Sequence, residues 1–121
     1  MRDDELSMLW GKLIFLCPLA LLTTTYGIAA GAARTEHRDE LVAMITETAR
    51  VGGAVGASLD AQAALEFFDS VPAAMQSSMQ HDDAAGNEIE LDAIGGAVVR
   101  AADRTGIPAP VTQKLVAGLL R

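Results

Sequence analysis

Residues 13–33 read LIFLCPLALLTTTYGIAAGAA, and this uncharged run is the strongest fold signal in the chain. About 20 apolar residues are enough to cross a bilayer, so the run has two interpretations. Three threonines and a tyrosine at 23–26, Pro18 in the first half and a weakly hydrophobic Gly/Ala tail all disfavour transfer into lipid. We therefore expect a long helix that is buried on all sides in a helical domain and kinked at Pro18.

The residues ahead of this run do not resemble a secretory signal. A signal needs a basic leading region, whereas MRDDELSMLWGK carries three acids against Arg2 and Lys12. Only the Ala-Gly-Ala before Arg34 resembles a cleavage site. A membrane span or signal remains the alternative, and we predict a cytoplasmic protein with no membrane partner.

Composition favours a single all-α domain. Half of the 121 residues are hydrophobic but only 4% are aromatic, and this composition suits close helix packing better than a β-sandwich. The net charge of −7 and the absence of a Lys/Arg cluster argue against a nucleic-acid partner. Cys17 is the only cysteine and lies in the apolar run, which predicts a buried thiol and no disulfide.

Local signals divide the remainder of the chain into further helices. Thr35 is positioned to cap a helix that ends near Gly52–Gly56, and Asp60 caps a shorter one that stops before Pro72. The polar stretch 72–86 predicts a turn or a single helical turn on the surface. The expected inward positions of these helices are Leu41, Met44, Ile45, Thr48, Val55, Leu65 and Phe68.

Two more helices are predicted towards the C-terminus. Asn87 opens the first, and Gly106 ends it as a C-terminal cap. Pro108 and Pro110 then enforce an extended link to the last helix. The expected core positions are Ile89, Ile94, Ala97, Val98, Ala101, Leu115, Val116, Leu119 and Leu120.

Four short motifs carry a family resemblance. They are Trp10-Gly11-Lys12, Ser77-Ser78-Met79 with Asp82 and Gly86, Glu90-Leu91-Asp92 with Ile94 and Gly96, and the tail GIPAPVTQKL at 106–115. In this order and with these gaps, they resemble the C-terminal domain of ketopantoate reductase (2-dehydropantoate 2-reductase). The resemblance covers residues 9–121 and implies the helical, 6-phosphogluconate dehydrogenase-like C-terminal fold of that family, with residues 1–8 as a leader.

The resemblance also implies a chemistry. Family members reduce the ketone of ketopantoate with a hydride from NADPH, and the nucleotide is held by an N-terminal Rossmann domain. This chain has no G-x-G-x-x-G loop after a strand, so we expect that domain to be absent from it. Lys12 matches the general acid, Glu90 the glutamate that holds the hydroxyl region of the substrate, and Ser78 the serine that binds the substrate carboxylate.

Each matched residue also has a purely structural interpretation. Lys12 fits a lysine that extends from an apolar helix to water. Asn87 and Glu90 have the spacing of a capping box, and Ser78 fits a local cap in a polar turn. The carboxylate of Glu90 in a first helical turn is favoured as the anion, which suits both interpretations.

Three positions depart from the family pattern. The positions four and eight residues after the lysine are commonly asparagines that contact substrate, whereas this chain has Leu16 and Ala20. Both lie on the helix face of Lys12, so a polar wall becomes apolar and a less polar 2-oxo acid is expected. An inactive paralogue fits these two replacements equally well. The asparagine before Gly96 is replaced by Gly95.

The predicted partners are therefore a small 2-oxo acid, a separate Rossmann domain and a second copy of the chain. A homo-oligomer is expected because the surface left by a missing domain exposes apolar area. A non-enzymatic oligomerisation module is the alternative function. His81, Asp82 and Asp83 have ligand side chains without metal-site spacing, so no metal is predicted.

Overall fold

A computed structural model describes residues 3–120, and every regular element in that range is a helix. In chain order, the helices are α1 (Asp3–Tyr26), α2 (Ala30–Glu36), α3 (Arg38–Ala54), α4 (Ala61–Ser70) and α5 (Ser78–Ala84). A π segment at Asp92–Gly96 continues into α6 (Ala97–Thr105), and α7 (Pro110–Leu119) follows. The prediction of an all-α fold is confirmed.

Helix α1 is the centre of the domain. It packs against α2, α3, α4, α5, the π segment and α7, and every residue from 17 to 24 is buried. Burial on all sides explains why this stretch is apolar around its whole circumference, as expected for a core helix. Pro18 lies inside the helix and is itself buried.

The same helix is long and apolar enough, between Asp4 and Tyr26, to cross a bilayer by length and composition. Just over half of its most apolar window, 56%, is buried against the other helices. A buried core helix of a folded domain meets the same criterion of length and composition.

Residues 3–8, expected as a leader, form the first turns of α1. Leu6 packs against the hydrophobic core, and the Ser7 hydroxyl accepts a hydrogen bond from the Ser58 amide at 3.0 Å. The start of the chain is therefore continuous with the domain within the described range.

Local signals identified several helix ends correctly. The Asp60 carboxylate accepts the Ala63 amide and caps α4, which ends at Ser70, two residues before Pro72. Gly106 ends α6 with φ +71°, a left-handed conformation that suits glycine. Pro110 occupies the first turn of α7, where its missing amide hydrogen costs nothing.

Two predicted helix starts are wrong. Thr35 lies inside α2, where its hydroxyl donates to the Gly31 carbonyl, and α3 begins at Arg38. Asn87 lies in an irregular stretch, and the helix expected there begins at Leu91. In both cases a polar side chain that can cap was assigned to a helix start, although the backbone there has another conformation. Leu120, predicted to be in the core, is exposed just after α7.

Gly95 of the π segment lies in close contact with α1 and α7. A Cβ atom on Gly95 would lie 2.6 Å from Val116 Cγ2 of α7 and 3.4 Å from a Leu21 methyl of α1. An asparagine side chain at this position would therefore require the Val116 side chain to move. Gly95, which stands in place of the family asparagine, therefore allows the π segment to pack closely between α1 and α7.

A buried carboxylate caps α7 from another helix. Glu47 of α3 accepts hydrogen bonds from the Val111 amide at 3.1 Å, the Thr112 amide at 2.9 Å and the Thr112 hydroxyl at 2.8 Å. An anion is favoured at a helix N-terminus, where amide groups point outward. This contact joins α3 to the last helix of the domain.

Candidate functional site

Trp10 and Lys12 point to opposite sides of α1. Successive helical residues are about 100° apart, so residues two positions apart lie on opposite faces. Trp10 is buried and packs against Gly52 of α3, where an added Cβ would lie 3.1 Å from the indole ring. Lys12 is exposed. The tryptophan of the motif therefore anchors α1 in the core while the lysine faces outward.

Lys12 lines one of two grooves of similar size, a space of about 500 Å³ between α1 and α4. The α1 wall also includes Phe15 and Leu16, and the α4 wall includes Phe67. The two phenylalanine rings meet edge to face with centroids 4.9 Å apart. The groove is therefore mostly apolar, with one ammonium group on its wall.

The two positions that depart from the family pattern have different environments. Leu16 is 39% exposed and lines the groove one turn after Lys12. Ala20 is buried and lies outside the groove lining. The predicted change from a polar to an apolar wall therefore applies to Leu16, whereas Ala20 belongs to the core.

Of the two adjacent serines, Ser77 is buried and has a structural role, whereas Ser78 lies on the surface. Ser77 is buried and caps α5 by accepting the Gln80 amide at 3.0 Å. Its oxygen also lies 2.7 Å from the Thr23 hydroxyl of α1. Because Thr23 donates to the Leu19 carbonyl, Ser77 supplies the hydrogen between the two hydroxyls. Ser78 begins α5 with an exposed side chain, so the capping role considered for Ser78 belongs to Ser77.

Glu90 is exposed and directly precedes the helix that begins at Leu91. The capping box with Asn87 does not form, because Asn87 and Glu90 both precede the first helical residue. The neighbouring Asp92 pairs with Arg100 across the π segment. A second groove, about 480 Å³ between residues 86–92 and α7, is lined by Glu88 and Asp92 but not by Glu90.

The three candidate residues lie on separate parts of the domain: Lys12 on α1, Ser78 at the start of α5 and Glu90 just before Leu91. Ser77, the neighbour of Ser78, contacts Thr23 of α1. Thr23 lies eleven residues beyond Lys12, which corresponds to about 16 Å along the helix. Neither Ser78 nor Glu90 lines the groove that contains Lys12. No hydrogen bond or ion pair joins any two of the three within residues 3–120. The described chain therefore displays these side chains without closing a site around them.

Other reactive groups offer no second site in the described part of the chain. No group of three or more His, Cys, Asp and Glu side chains among these residues could hold a metal ion. Cys17 is fully buried, and burial, aided by the charge of Glu47, raises the pKa of its thiol to about 12. The thiol is therefore held in its neutral, unreactive form.

The sequence profile of one family, "Ketopantoate reductase PanE/ApbA C terminal", matches residues 4–120. The chain belongs to this family. The match confirms the resemblance drawn from the four motifs. It also establishes the fold and the domain type for nearly the whole of this ketopantoate reductase C-terminal domain.

Solved structures agree with this assignment. A dimeric ketopantoate reductase from Staphylococcus aureus superposes with a TM-score of 0.86 at 18% identity, over 97% of this chain and 42% of its own. A PanE/ApbA family ketopantoate reductase from Ralstonia eutropha JMP134 gives 0.82 at 27% identity, over 92% and 39%. A probable 2-dehydropantoate 2-reductase from Bacillus subtilis gives 0.83 at 24% identity, over 96% and 40%.

This ketopantoate reductase C-terminal domain therefore spans about two fifths of the length of those proteins. The sequence motifs located Lys12, Ser78 and Glu90 but gave no sign of the groove wall formed by Phe67. The apolar periodicity of α4 predicts that Phe68 points into the core. Phe67 is exposed and lies outside that periodicity, so nothing in the sequence was a reason to select it.

Proposed function

We propose that this domain supplies the substrate-binding and proton-donating half of an NADPH-dependent 2-oxo acid reductase. The observation that carries the proposal is the position of Lys12, which is exposed on a groove wall two residues from the buried Trp10. Family membership supports the reaction class, and the groove beside the lysine supports its access to a small molecule.

The residues of this domain do not themselves fit the nucleotide. Residues 3–120 form no strand followed by a glycine-rich loop, which is the usual cradle for a dinucleotide pyrophosphate. We therefore assign NADPH, which supplies hydride when bound, to a Rossmann domain outside these 121 residues. The same domain would cover the exposed side of Lys12.

Lys12 is the proposed general acid. Reduction of a ketone develops negative charge on its oxygen, and an ammonium group on a partly dry wall stabilises that charge and then donates a proton to it. We keep Ser78 as the residue that the resemblance assigns to the substrate carboxylate; Ser78 does not line the groove of Lys12, so the proton-donating step proposed here rests on Lys12 alone. The resemblance likewise assigns to Glu90 the hydrogen bond from a substrate hydroxyl, and Glu90 also lies outside the groove lining.

The test combines this chain with the nucleotide-binding domain of a ketopantoate reductase, mixed or fused, and follows NADPH consumption with 2-oxo acids. Lys12→Ala should lower turnover by about 100-fold or more, the usual scale for loss of a general acid. Lys114→Ala is the matched control, because Lys114 is the other lysine of the chain and is exposed on α7. Activity that survives Lys12→Ala, or an inactive combination, would contradict the proposal.

Exposed apolar side chains favour the second candidate, a non-enzymatic oligomerisation module. Met8 is 67% exposed on α1, and Leu9 beside it is also exposed. Large apolar side chains grouped on a surface often mark an interface. A second copy of the chain is the proposed partner, and sedimentation of the wild type and Met8→Asp would test it. A concentration-independent monomer rules the module out.

The cytoplasmic location stays a prediction. Partition of the expressed chain into the aqueous fraction without detergent would support it. Recovery only in the membrane fraction would favour the alternative interpretation of α1.

A further inference from the structure

The groove between α1 and α4 combines one cation with an apolar surface. Lys12 lies one helical turn before Leu16 on the α1 wall, and Phe67 faces them from α4 with 54% of its surface exposed. Four residues of helix span about 6 Å, which is the scale of a small organic acid. The volume of about 500 Å³ lies within the usual range for small-molecule sites.

The other polar side chains of the groove with known contacts already hold backbone groups. Asp60 accepts the Ala63 amide, and Ser7 accepts the Ser58 amide. Lys12, by contrast, makes no hydrogen bond or ion pair with any residue between 3 and 120. A ligand that enters the groove therefore meets one unpaired ammonium group, the capping carboxylate of Asp60 and a largely hydrocarbon wall.

An ammonium on this wall favours an anionic or carbonyl-bearing ligand over an apolar protein surface. A protein face that covered the groove would bury Lys12 and would have to supply a partner for its charge. A small 2-oxo acid brings that partner itself, because its ketone and carboxylate oxygens both accept hydrogen bonds. Its side chain would then lie along Leu16 and Phe67.

We propose that this groove selects 2-oxo acids with a large apolar side chain, branched or aromatic, and that Leu16 and Phe67 determine the specificity. The inference rests on the proposed function and adds the substrate class. A substrate whose side chain carries a hydroxyl, such as ketopantoate, would place that group against hydrocarbon and lose its hydrogen bonds to water.

Binding to the 121-residue chain is the direct test. Ligand-detected NMR titrations would compare phenylpyruvate and the 2-oxo acid of leucine with ketopantoate and pyruvate, into the millimolar range. We expect the two apolar acids to bind about tenfold or more tightly than ketopantoate, the scale of one well-packed methylene group. Lys12→Ala should weaken binding of all four acids.

Two variants test the assigned wall. Leu16→Asn and Phe67→Ser should each remove most of the preference for apolar acids. Val42→Asn is the control, because Val42 has the same 39% exposure as Leu16 but lies on α3, outside this groove. Circular dichroism would verify the fold of each variant, and the two wall variants act independently, so loss of one fold leaves the other informative.

The possible failures are distinguishable. Equal or tighter binding of ketopantoate, or a preference that both wall variants retain, would overturn this inference and leave the proposed function standing. If none of the four acids binds and the combination with a nucleotide-binding domain is inactive, both the inference and the proposed function are wrong.

Discussion

Replacing Glu47 with alanine would remove the three hydrogen bonds that hold the start of α7. The Thr112 amide and hydroxyl are fully buried, and with Glu47 gone they lose their acceptor. A lost helix cap costs about 1 kcal/mol, and buried polar groups without a partner cost about 1–3 kcal/mol. The free energy of unfolding should therefore fall by about 2–4 kcal/mol, a large part of the 5–15 kcal/mol typical of a domain.

Urea unfolding followed by far-ultraviolet circular dichroism measures this loss, and the midpoint should drop by about 1–2 M. Glu47→Gln keeps one oxygen for Thr112 and should lose about half as much as the alanine variant. Glu36→Ala is the control, because Glu36 is exposed on α2 and its loss should change stability by about 0.5 kcal/mol or less. Hydrogen exchange at the Thr112 amide locates the effect. A loss in Glu47→Ala no larger than in Glu36→Ala, or unchanged protection of that amide, would refute the reasoning.

Three further predictions concern titratable groups. Cys17 should not react with a thiol reagent until the chain unfolds. Because its pKa is raised from 9.0 to about 12, its contribution to stability is complete below pH 9 and lost as pH rises towards 12, so Cys17→Ala should flatten the alkaline fall in stability. The hydrogen bond to Glu40 raises the pKa of Tyr26, so its phenol should ionise above pH 10.0 in an absorbance titration, and Glu40→Gln should move that ionisation back. The Arg38 hydrogen bonds lower the pKa of Asp69 below 3.8, so their small contribution to stability is present above that pH and lost as pH falls. Arg38→Ala should return the Asp69 carbon shift titration to its ordinary range.

The sequence motifs led to the correct family because each depends on residues close together in the chain. Trp10 and Lys12 are two positions apart, and helix geometry alone places them on opposite faces of α1. Asp60 and Gly106 mark helix ends through their own backbone and side-chain chemistry. These signals can be recognised in the sequence without knowing which helices pack nearby.

The wrong predictions concern polar residues that could cap a helix locally but have another position or contact in the folded domain. Thr35 could cap a helix, yet its hydroxyl bonds to Gly31 inside α2. Asn87 could open a helix, but the chain remains irregular until Leu91. The cap expected at Ser78 is made by Ser77, which also contacts Thr23 from 54 residues away in sequence.

Patterns within one or two turns were enough to predict the helical class and several helix ends, and the short motifs proposed Lys12, Ser78 and Glu90 as candidate residues. The packing of the helices was needed to show that Leu16 is exposed in the groove while Ala20 is buried. It alone paired Glu47 with Thr112, 65 residues further along. The physical reason is that burial and long-range hydrogen bonds depend on which helices meet. No single stretch of α1, α3 or α4 encodes that arrangement.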